Sequence, residues 1–272
     1  MQHFLLRVMI AMLTLGLSTW PPIRRRLRYA LNRGVAGALW LRSRSYPVDE
    51  DPVTLVFAPH QDDETLGCGG LLIRKRLEGA SVHIAYITDG SGSHPGHPRL
   101  SPHALAVQRQ KEACTATRVL GVEQAELHFF GVRDGTLAHL SPMAVQELVD
   151  KIAAALREVQ PDEVFLPLRS DGSSEHDAAF EYVRQAIQRT GLRPRVFEFP
   201  VWASWNSLRL LRPLCTRRRV WRADHHGYQV VKRQALDAYV SQIEPMPPWE
   251  RPTLSSEFLS FFSSSCEYFF ET

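Results

Sequence analysis

The sequence has few cysteines and no excess of charge of one sign, and both absences exclude classes of protein. Its 272 residues include four cysteines, far apart and without a C-x-x-C pair, which argues against a disulfide framework and a thiolate zinc site. The 32 basic and 29 acidic residues leave a net charge of +3. With 44% hydrophobic and 22% charged residues, the composition is that of a globular domain, not of a collagen-like, mainly disordered or polytopic membrane protein.

Acidic residues are missing from the first 33 positions, which contain six arginines. The mild basicity therefore belongs to this segment, and the rest of the chain is slightly acidic. Proteins that bind nucleic acid usually carry a basic patch or stripe on the domain itself. We therefore predict no nucleic-acid partner.

A long apolar run is also missing from the N-terminal segment. Residues 4–20 are mostly apolar but are interrupted by an arginine, whereas a membrane-spanning helix needs about 20 apolar residues. The heavier charge follows this run, unlike the order in a signal peptide. We predict that residues 1–45 form an apolar, basic helical appendage to a domain at 46–272. Two interpretations stay open: peripheral contact of residues 1–33 with a membrane, and packing on the domain.

If the arginines at 24–28 remain on the inner side of a membrane, the domain that follows is cytoplasmic. We therefore expect a cytoplasmic protein that is either free or membrane-associated.

After residue 52 the chain alternates short β-branched runs with longer helical patterns. This alternation predicts an α/β fold with a doubly wound, mostly parallel, Rossmann-like sheet and helices on both faces. Ligands of such sheets bind beyond the carboxyl ends of the strands. The predicted strands are 53–58, 82–88, 126–130, 163–168 and 195–201. The predicted helices are 66–78, 102–120, 141–160, 175–190 and 228–242.

The loop after the first predicted strand combines His60 with three carboxylates, Asp62, Asp63 and Glu64. Three like charges at the end of a buried strand are costly unless a cation compensates them. His60 and Asp63 can converge on one ion, which leaves Asp62 near a metal-bound water. A solvated turn or a helix cap is the alternative explanation of such a loop.

A third ligand is expected from another strand end, and His176 follows the fourth predicted strand. One carboxylate and two imidazoles with an open position suit Zn²⁺, and iron(II) would accept the same donors. The alternative for His176 is a helix cap or a packing residue. The sequence therefore predicts a metal site formed by His60, Asp63 and His176.

The stretch APHQDDETLGCGG, residues 58–70, resembles the motif of the LmbE-like N-deacetylases, the family that includes the PIG-L enzymes. That motif is usually written (A)HPDDE and is followed by a glycine-rich helix start. Weaker agreement occurs at residues 88–90, 109–121, 130–135 and 232–242. The resemblance extends over about residues 52–245.

The resemblance implies a zinc-dependent hydrolase that removes the N-acetyl group from an N-acetylglucosamine-type sugar, either a small molecule or a lipid-linked one. Position by position, His60 and Asp63 match the first two zinc ligands of the family and His176 matches the third. Asp62 matches the general base, which takes a proton from the metal-bound water.

Two positions depart from the family pattern. Gln61 replaces a proline, which alters the turn without removing a reactive group. The second motif, commonly H-P-D-H, reads Ser173-Ser174-Glu175-His176, so Ser173 replaces a histidine that assists at the oxyanion or as an acid. Glu175 is expected to orient a neighbouring imidazole. Two other functions therefore stay open: a catalytically weak glycan-binding member, and a membrane-surface scaffold.

Further residues are assigned weaker roles. Arg109 and Asp134 match family positions near the sugar, and Ser173 is a third candidate for substrate contact. Glu64 is expected to support the metal site from behind the ligands. The glycines at 67–70 lack G-x-G-x-x-G spacing, so they predict a close approach between helix and sheet and not a dinucleotide site.

Overall fold

A computed structural model describes residues 21–47, 52–216 and 218–272. These residues form one sheet of eight strands, and five of its seven neighbouring strand pairs are parallel. The α/β, doubly wound fold predicted from the sequence is confirmed. The predicted apolar segment at 4–20 lies outside the described residues.

The five predicted strands correspond to β2–β6, and their ends agree to within two residues. The strands are β1 (Arg44–Ser45), β2 (Thr54–Ala58), β3 (Val82–Thr88), β4 (Leu127–Val132), β5 (Glu163–Pro167), β6 (Arg195–Phe199), β7 (Arg219–Asp224) and β8 (Cys266–Glu271). The helices are α1 (Pro21–Arg42), α2 (Asp63–Leu77), α3 (Pro102–Val119), α4 (Pro142–Val159), α5 (Ser174–Thr190), α6 (Trp202–Trp205), α7 (Leu208–Cys215), α8 (Gln229–Asp237), α9 (Val240–Ile243) and α10 (Ser256–Leu259). Short 3₁₀ turns lie at Gln124–Glu126, Leu137–His139 and Ser260–Phe262.

The strand order is β1-β7-β8-β6-β5-β2-β3-β4. From β2 the chain passes to β3 and β4 on one side, and β5 and β6 then lie on the other side. The strand order therefore reverses between β2 and β5, where a doubly wound sheet leaves a crevice at its carboxyl edge. The sequence pattern did not indicate β7 or β8, and β8 pairs antiparallel with both β6 and β7.

Two hydrophobic cores cover the two faces of the sheet. Alternate residues of β2 belong to different cores, Val56 to one and Leu55 to the other, as expected for a strand buried on both faces. The first core contains side chains of α2, α3 and α8, and the second contains side chains of α4 and α5. Burial of these side chains holds β2 and β5 in place, and this fixes where the loops at their carboxyl ends begin.

Helix α2 approaches the sheet closely because three of its residues are glycines. A Cβ atom on Gly67 would lie 2.3 Å from the Phe199 ring, and one on Gly70 would lie 2.3 Å from the His225 ring. These distances are shorter than any ordinary carbon contact. The prediction that the glycines at 67–70 serve close packing is confirmed.

A buried ion pair ties three elements together beside α2. Lys232 of α8 donates to Glu267 of β8 at 2.7 Å and to the Leu66 carbonyl at 2.9 Å. Glu267 in turn accepts from the amides of Gly70 and Leu71, at 2.7 and 2.8 Å. The helix that begins at the predicted metal site is therefore held by charged side chains from two distant parts of the chain.

The C-terminal half of α1 packs on the domain. Val35 and Leu39 are buried in a small cluster with Leu168 and Leu210. Next to them, Trp40 is exposed. No helix in the described part of the chain combines the length and the apolar character needed to cross a bilayer.

Candidate metal centre

The first two predicted ligands lie where β2 ends and α2 begins. One carboxylate oxygen of Asp63, Oδ2, accepts from the His60 backbone amide at 2.9 Å and lies 3.1 Å from the His60 ring nitrogen Nδ1. Asp63 is the first residue of α2, so its carboxylate also benefits from the positive end of the helix dipole. The short loop thus places one imidazole and one carboxylate side by side.

The third predicted ligand comes from the first turn of α5. His176 is fully buried, and its Nε2 atom lies 3.3 Å from Asp63 Oδ2. Hydrogen-bond geometry is not met there, so Nε2 has no hydrogen-bond partner. A buried ring nitrogen without a partner is costly, and a cation beside Asp63 would remove that cost.

The structure therefore brings His60, Asp63 and His176 together, with one donor atom from each lying within 4.8 Å of the others. Two imidazole nitrogens and one carboxylate oxygen fit zinc with a fourth position left open. The same donors fit non-haem iron(II).

Opposite charges on neighbouring groups shift the pKa values of Asp63 and His176. Burial alone would raise the pKa of Asp63, but His176 and His60 hold that pKa well below its ordinary value. Burial alone would lower the pKa of His176, but the carboxylates of Asp63 and Asp171 raise it to about 9. The metal-free site thus attracts positive charge, which a proton or a metal ion supplies.

Asp62, the predicted general base, lies beside these ligands in a strained backbone conformation. Its φ angle is 145°, in a region that residues other than glycine rarely adopt. The Asp62 amide donates to Glu64 Oε2 at 3.1 Å. Burial raises the pKa of Asp62 to about 7, although the nearby Arg109 lowers it. The carboxyl group therefore titrates near neutral pH in the metal-free protein.

Glu64 and Gln61 hold the loop from two directions. Glu64 is buried, and its Oε1 atom accepts from the hydroxyls of Thr65 and Tyr239. The Gln61 side chain donates to the Thr88 carbonyl at 2.8 Å, which ties the loop to the end of β3. Glu64 thus contacts the backbone of Asp62, and its support of the metal site stays a prediction.

Two residues predicted to contact the sugar are engaged with other site residues. Arg109 on α3 is only 2% exposed; its guanidinium lies 3.2 Å from Asp62 and donates to the Gln61 carbonyl. Asp134, after β4, has one oxygen 3.3 Å from His60 Nε2. Their contact with substrate stays a prediction.

The altered second motif reaches the site through Glu175 and His176. Glu175 places Oε2 2.8 Å from His60 Nε2, so the imidazole that it contacts is that of His60. Ser173 precedes α5 and makes no side-chain capping bond. His60, Asp134 and Glu175 form a second group with donor atoms within 4.8 Å of one another.

Sequence reasoning did not assign a role to Asp171, which the structure places directly behind His176. One of its oxygens lies 2.8 Å from His176 Nδ1. The carboxylate also accepts from three backbone amides at the start of α6, those of Val201, Trp202 and Ala203. When His176 is neutral, this carboxylate holds the ring proton on Nδ1, and the lone pair is on Nε2, facing Asp63. The only signal in the sequence was an aspartate five residues before the histidine.

The part of the chain that carries this site is similar to known proteins. The profile of a family described as "PIG-L: GlcNAc-PI de-N-acetylase" matches residues 55–187, which begin in β2 and end in α5. Diacetylchitobiose deacetylase from Thermococcus kodakarensis is 29% identical over 152 residues, 54% of this chain and 53% of the relative. The chain spans about half the length of the curated relatives it matches.

Solved structures share the fold over more of the chain. A conserved protein from Thermus thermophilus is 30% identical with a TM-score of 0.53, over 70% of this chain and 80% of that one. The zinc-inhibited form of a teicoplanin deacetylase is 19% identical with a TM-score of 0.61, over 80% and 97%. The 4-carboxy-2-hydroxymuconate hydratase of Pseudomonas putida is 17% identical with a TM-score of 0.59, over 78% and 83%. A deacetylase and a hydratase thus share this fold, so activity has to be argued from side chains.

Proposed function

The chain belongs to the PIG-L family, and we propose that it is a metal-dependent hydrolase that removes the N-acetyl group from a sugar of the N-acetylglucosamine type. The observation that carries this proposal is the convergence of His60, Asp63 and His176 at the point where the strand order reverses. The relative from Thermococcus kodakarensis is a deacetylase of an N-acetylated sugar by its name, which supports the same substrate class here.

Zinc is the metal that we propose, and iron(II) is its nearest competitor. The unpartnered, buried Nε2 atom of His176 supports a cation at this position. When bound, such an ion lowers the pKa of a water molecule and polarises a carbonyl oxygen.

Asp62 is proposed to move the proton. Its buried carboxylate adjoins the ligand Asp63 in the chain and has a pKa of about 7, raised by burial, close to the optimum for a general base at neutral pH. Asp62 would accept a proton from the attacking water and then donate it to the departing amine. Arg109 and the bond from the Asp62 amide to Glu64 would hold the carboxylate in place.

Ser173 supports a second candidate, a glycan-binding protein with weak catalysis. A serine hydroxyl is neutral and donates a single proton, so it stabilises a developing oxyanion less than a cationic imidazole does. The catalytic proposal therefore requires that the metal ion supply most of that stabilisation.

Metal analysis and acetate release separate these functions. The purified full chain should contain one equivalent of metal and release acetate from N,N'-diacetylchitobiose or a lipid-linked N-acetylglucosamine. Asp62→Asn should retain the metal and lose at least about 100-fold in rate, since general bases contribute about that much. Asp150→Asn changes an exposed aspartate and is the matched control. Sugar binding without acetate in every variant would favour the glycan-binding function, and a chain without metal would refute both.

We also propose that the exposed end of α1 contacts an anionic lipid surface. Trp40 is 57% exposed and Leu41 is 79% exposed, and the neighbouring Arg42 and Arg44 are exposed as well. Aromatic and basic side chains in this combination suit a lipid headgroup region.

Sedimentation of the full chain with vesicles tests this contact. Binding should require anionic lipid and weaken when Trp40 and Leu41 are both changed to serine. Met143→Ser, at another exposed apolar position, should have no effect. Equal binding to zwitterionic vesicles, or unchanged binding of the double variant, would contradict the proposal.

A further inference from the structure

The imidazole of His60 is contacted at both of its nitrogens. Nδ1 lies 3.1 Å from Asp63, on the side of the predicted metal. Nε2 lies 2.8 Å from Glu175 and 3.3 Å from Asp134. A neutral imidazole carries one proton and one lone pair on different nitrogens. The groups around Nε2 therefore decide whether the lone pair faces the metal site.

Both carboxylates are fixed by backbone amides. The second oxygen of Glu175 accepts from the Leu137 amide at 2.9 Å, and the second oxygen of Asp134 accepts from the Gly92 amide at 3.0 Å. The Asp134 amide itself donates to Asp89 at 3.0 Å. In each carboxylate the remaining oxygen is left directed at His60 Nε2. The arrangement is thus built by the loops after β3 and β4 together with the start of α5.

We propose that Asp134 and Glu175 are positioning residues that keep the proton of His60 on Nε2 and so direct the Nδ1 lone pair at the metal. This inference rests on the metal site of the proposed function. It gives His60 the same support that Asp171 gives His176. It also gives Glu175 an imidazole partner, that of His60, although position 173 of the same motif is a serine and not a histidine.

A second cation is the competing explanation, because His60, Asp134 and Glu175 would also satisfy the spacing of a metal site. The two sites share one imidazole, however. Occupying both would require His60 to lose its ring proton and bridge two cations, whereas a neutral imidazole offers one lone pair. A hydrogen bond from Nε2 to a carboxylate is the usual arrangement of a metal-bound histidine. We therefore infer one metal ion and two supporting carboxylates.

Zinc affinity is the first measurement. The full chain is freed of metal and titrated with zinc in competition with a chromophoric chelator, for the wild type and for Asp134→Asn combined with Glu175→Gln. The wild type should bind one equivalent, and the double variant should bind one equivalent about 10–100-fold more weakly, as is typical when such a supporting carboxylate is lost. Glu181→Gln, an exposed glutamate on the same helix, should bind like the wild type.

The nitrogen that binds zinc is the second measurement, and a general loss of structure would not reproduce its outcome. Long-range ¹H–¹⁵N spectra of the zinc-loaded wild type should show His60 with zinc on Nδ1 and the proton on Nε2. In the double variant, His60 with zinc on Nε2 and the proton on Nδ1 should become populated. Binding of two equivalents by the wild type, or unchanged affinity and unchanged spectra in the double variant, would overturn the inference.

These outcomes are separable from failure of the proposed function. If zinc binding responds as expected but the wild type releases no acetate from any substrate, the deacetylase proposal fails and the positioning role stands. If acetate is released but the affinity is insensitive to both carboxylates, the positioning role fails alone.

Discussion

The guanidinium of Arg109 lies 3.2 Å from the carboxylate of Asp62, and both side chains are buried. The positive charge lowers the pKa of Asp62, against the larger effect of burial, which raises it. A base has to be unprotonated to accept a proton, so activity should be gained as the pH rises through the pKa of Asp62.

Arg109→Gln should therefore raise that pKa and move the acidic limb of the pH profile of kcat/KM to higher pH. The largest loss of activity is expected on the acidic side, with partial recovery as the pH rises. Acetate release measured across the neutral range checks this. Lys111→Gln, on the same helix, serves as the control. An acidic limb that stays in place in Arg109→Gln would show that Asp62 is not the group that titrates.

Asp171→Asn should weaken both the metal site and the fold. The carboxylate is fully buried and accepts from His176 and from three backbone amides. Removing the charge from such a group should cost about 3 kcal/mol or more in the free energy of unfolding. Denaturant unfolding of the metal-free protein measures the cost without a contribution from zinc. Asp237→Asn, in an exposed ion pair with Arg233, should cost less than about 1 kcal/mol.

Gly70→Ala should destabilise the protein although alanine favours helices. The added Cβ would lie 2.3 Å from the ring of His225, and overpacking of this kind costs about 1–3 kcal/mol. Gly37→Ala, in α1 with nothing within 4 Å, should instead stabilise by about 0.5–1 kcal/mol. Thermal unfolding of the two variants should shift in opposite directions, and equal shifts would contradict the close approach of α2 to the sheet.

Lys232→Met and Arg233→Met compare a buried and an exposed ion pair at adjacent positions of α8. Lys232 is buried against Glu267, whereas Arg233 contacts Asp237 at the surface. Loss of Lys232 leaves Glu267 buried without its cation and should cost about 3–5 kcal/mol. Loss of Arg233 should cost about 0.5 kcal/mol or less. Urea denaturation measures both, and similar costs would indicate that Glu267 is compensated by another group.

The sequence predicted the fold class because β2–β6 alternate with helices in chain order, and that pattern is local. It did not predict β8, since antiparallel pairing with β6 and β7 depends on residues far apart in the chain. The predicted helix at 228–242 is two helices, α8 and α9. The break brings Tyr239 into the core, where its hydroxyl donates to Glu64, a contact that helical periodicity cannot reveal.

The convergence of His60, Asp63 and His176 was predictable from the fold class, because the carboxyl ends of parallel strands lie at one edge of the sheet. The contacts behind these residues were not predictable in the same way. The sequence predicted that Glu175 contacts an imidazole but did not show which one. It gave no indication of the contacts of Asp134 with His60 and of Asp171 with His176. The direction of such contacts depends on loop conformation, which charge and spacing alone do not give.

The position of β8 in the sheet has a consequence for biosynthesis. This strand pairs with β6 on one side and with β7 on the other, and it follows both in the chain. While the ribosome is still making residues 225–265, β1 and β7 therefore have no strand to join them to β6. The three proposed metal ligands, in contrast, all precede residue 177. They lie in the loops and helices that directly follow β2 and β5, two strands that pair with each other. The nascent chain thus completes the elements that carry the ligands before the sheet that supports them is closed.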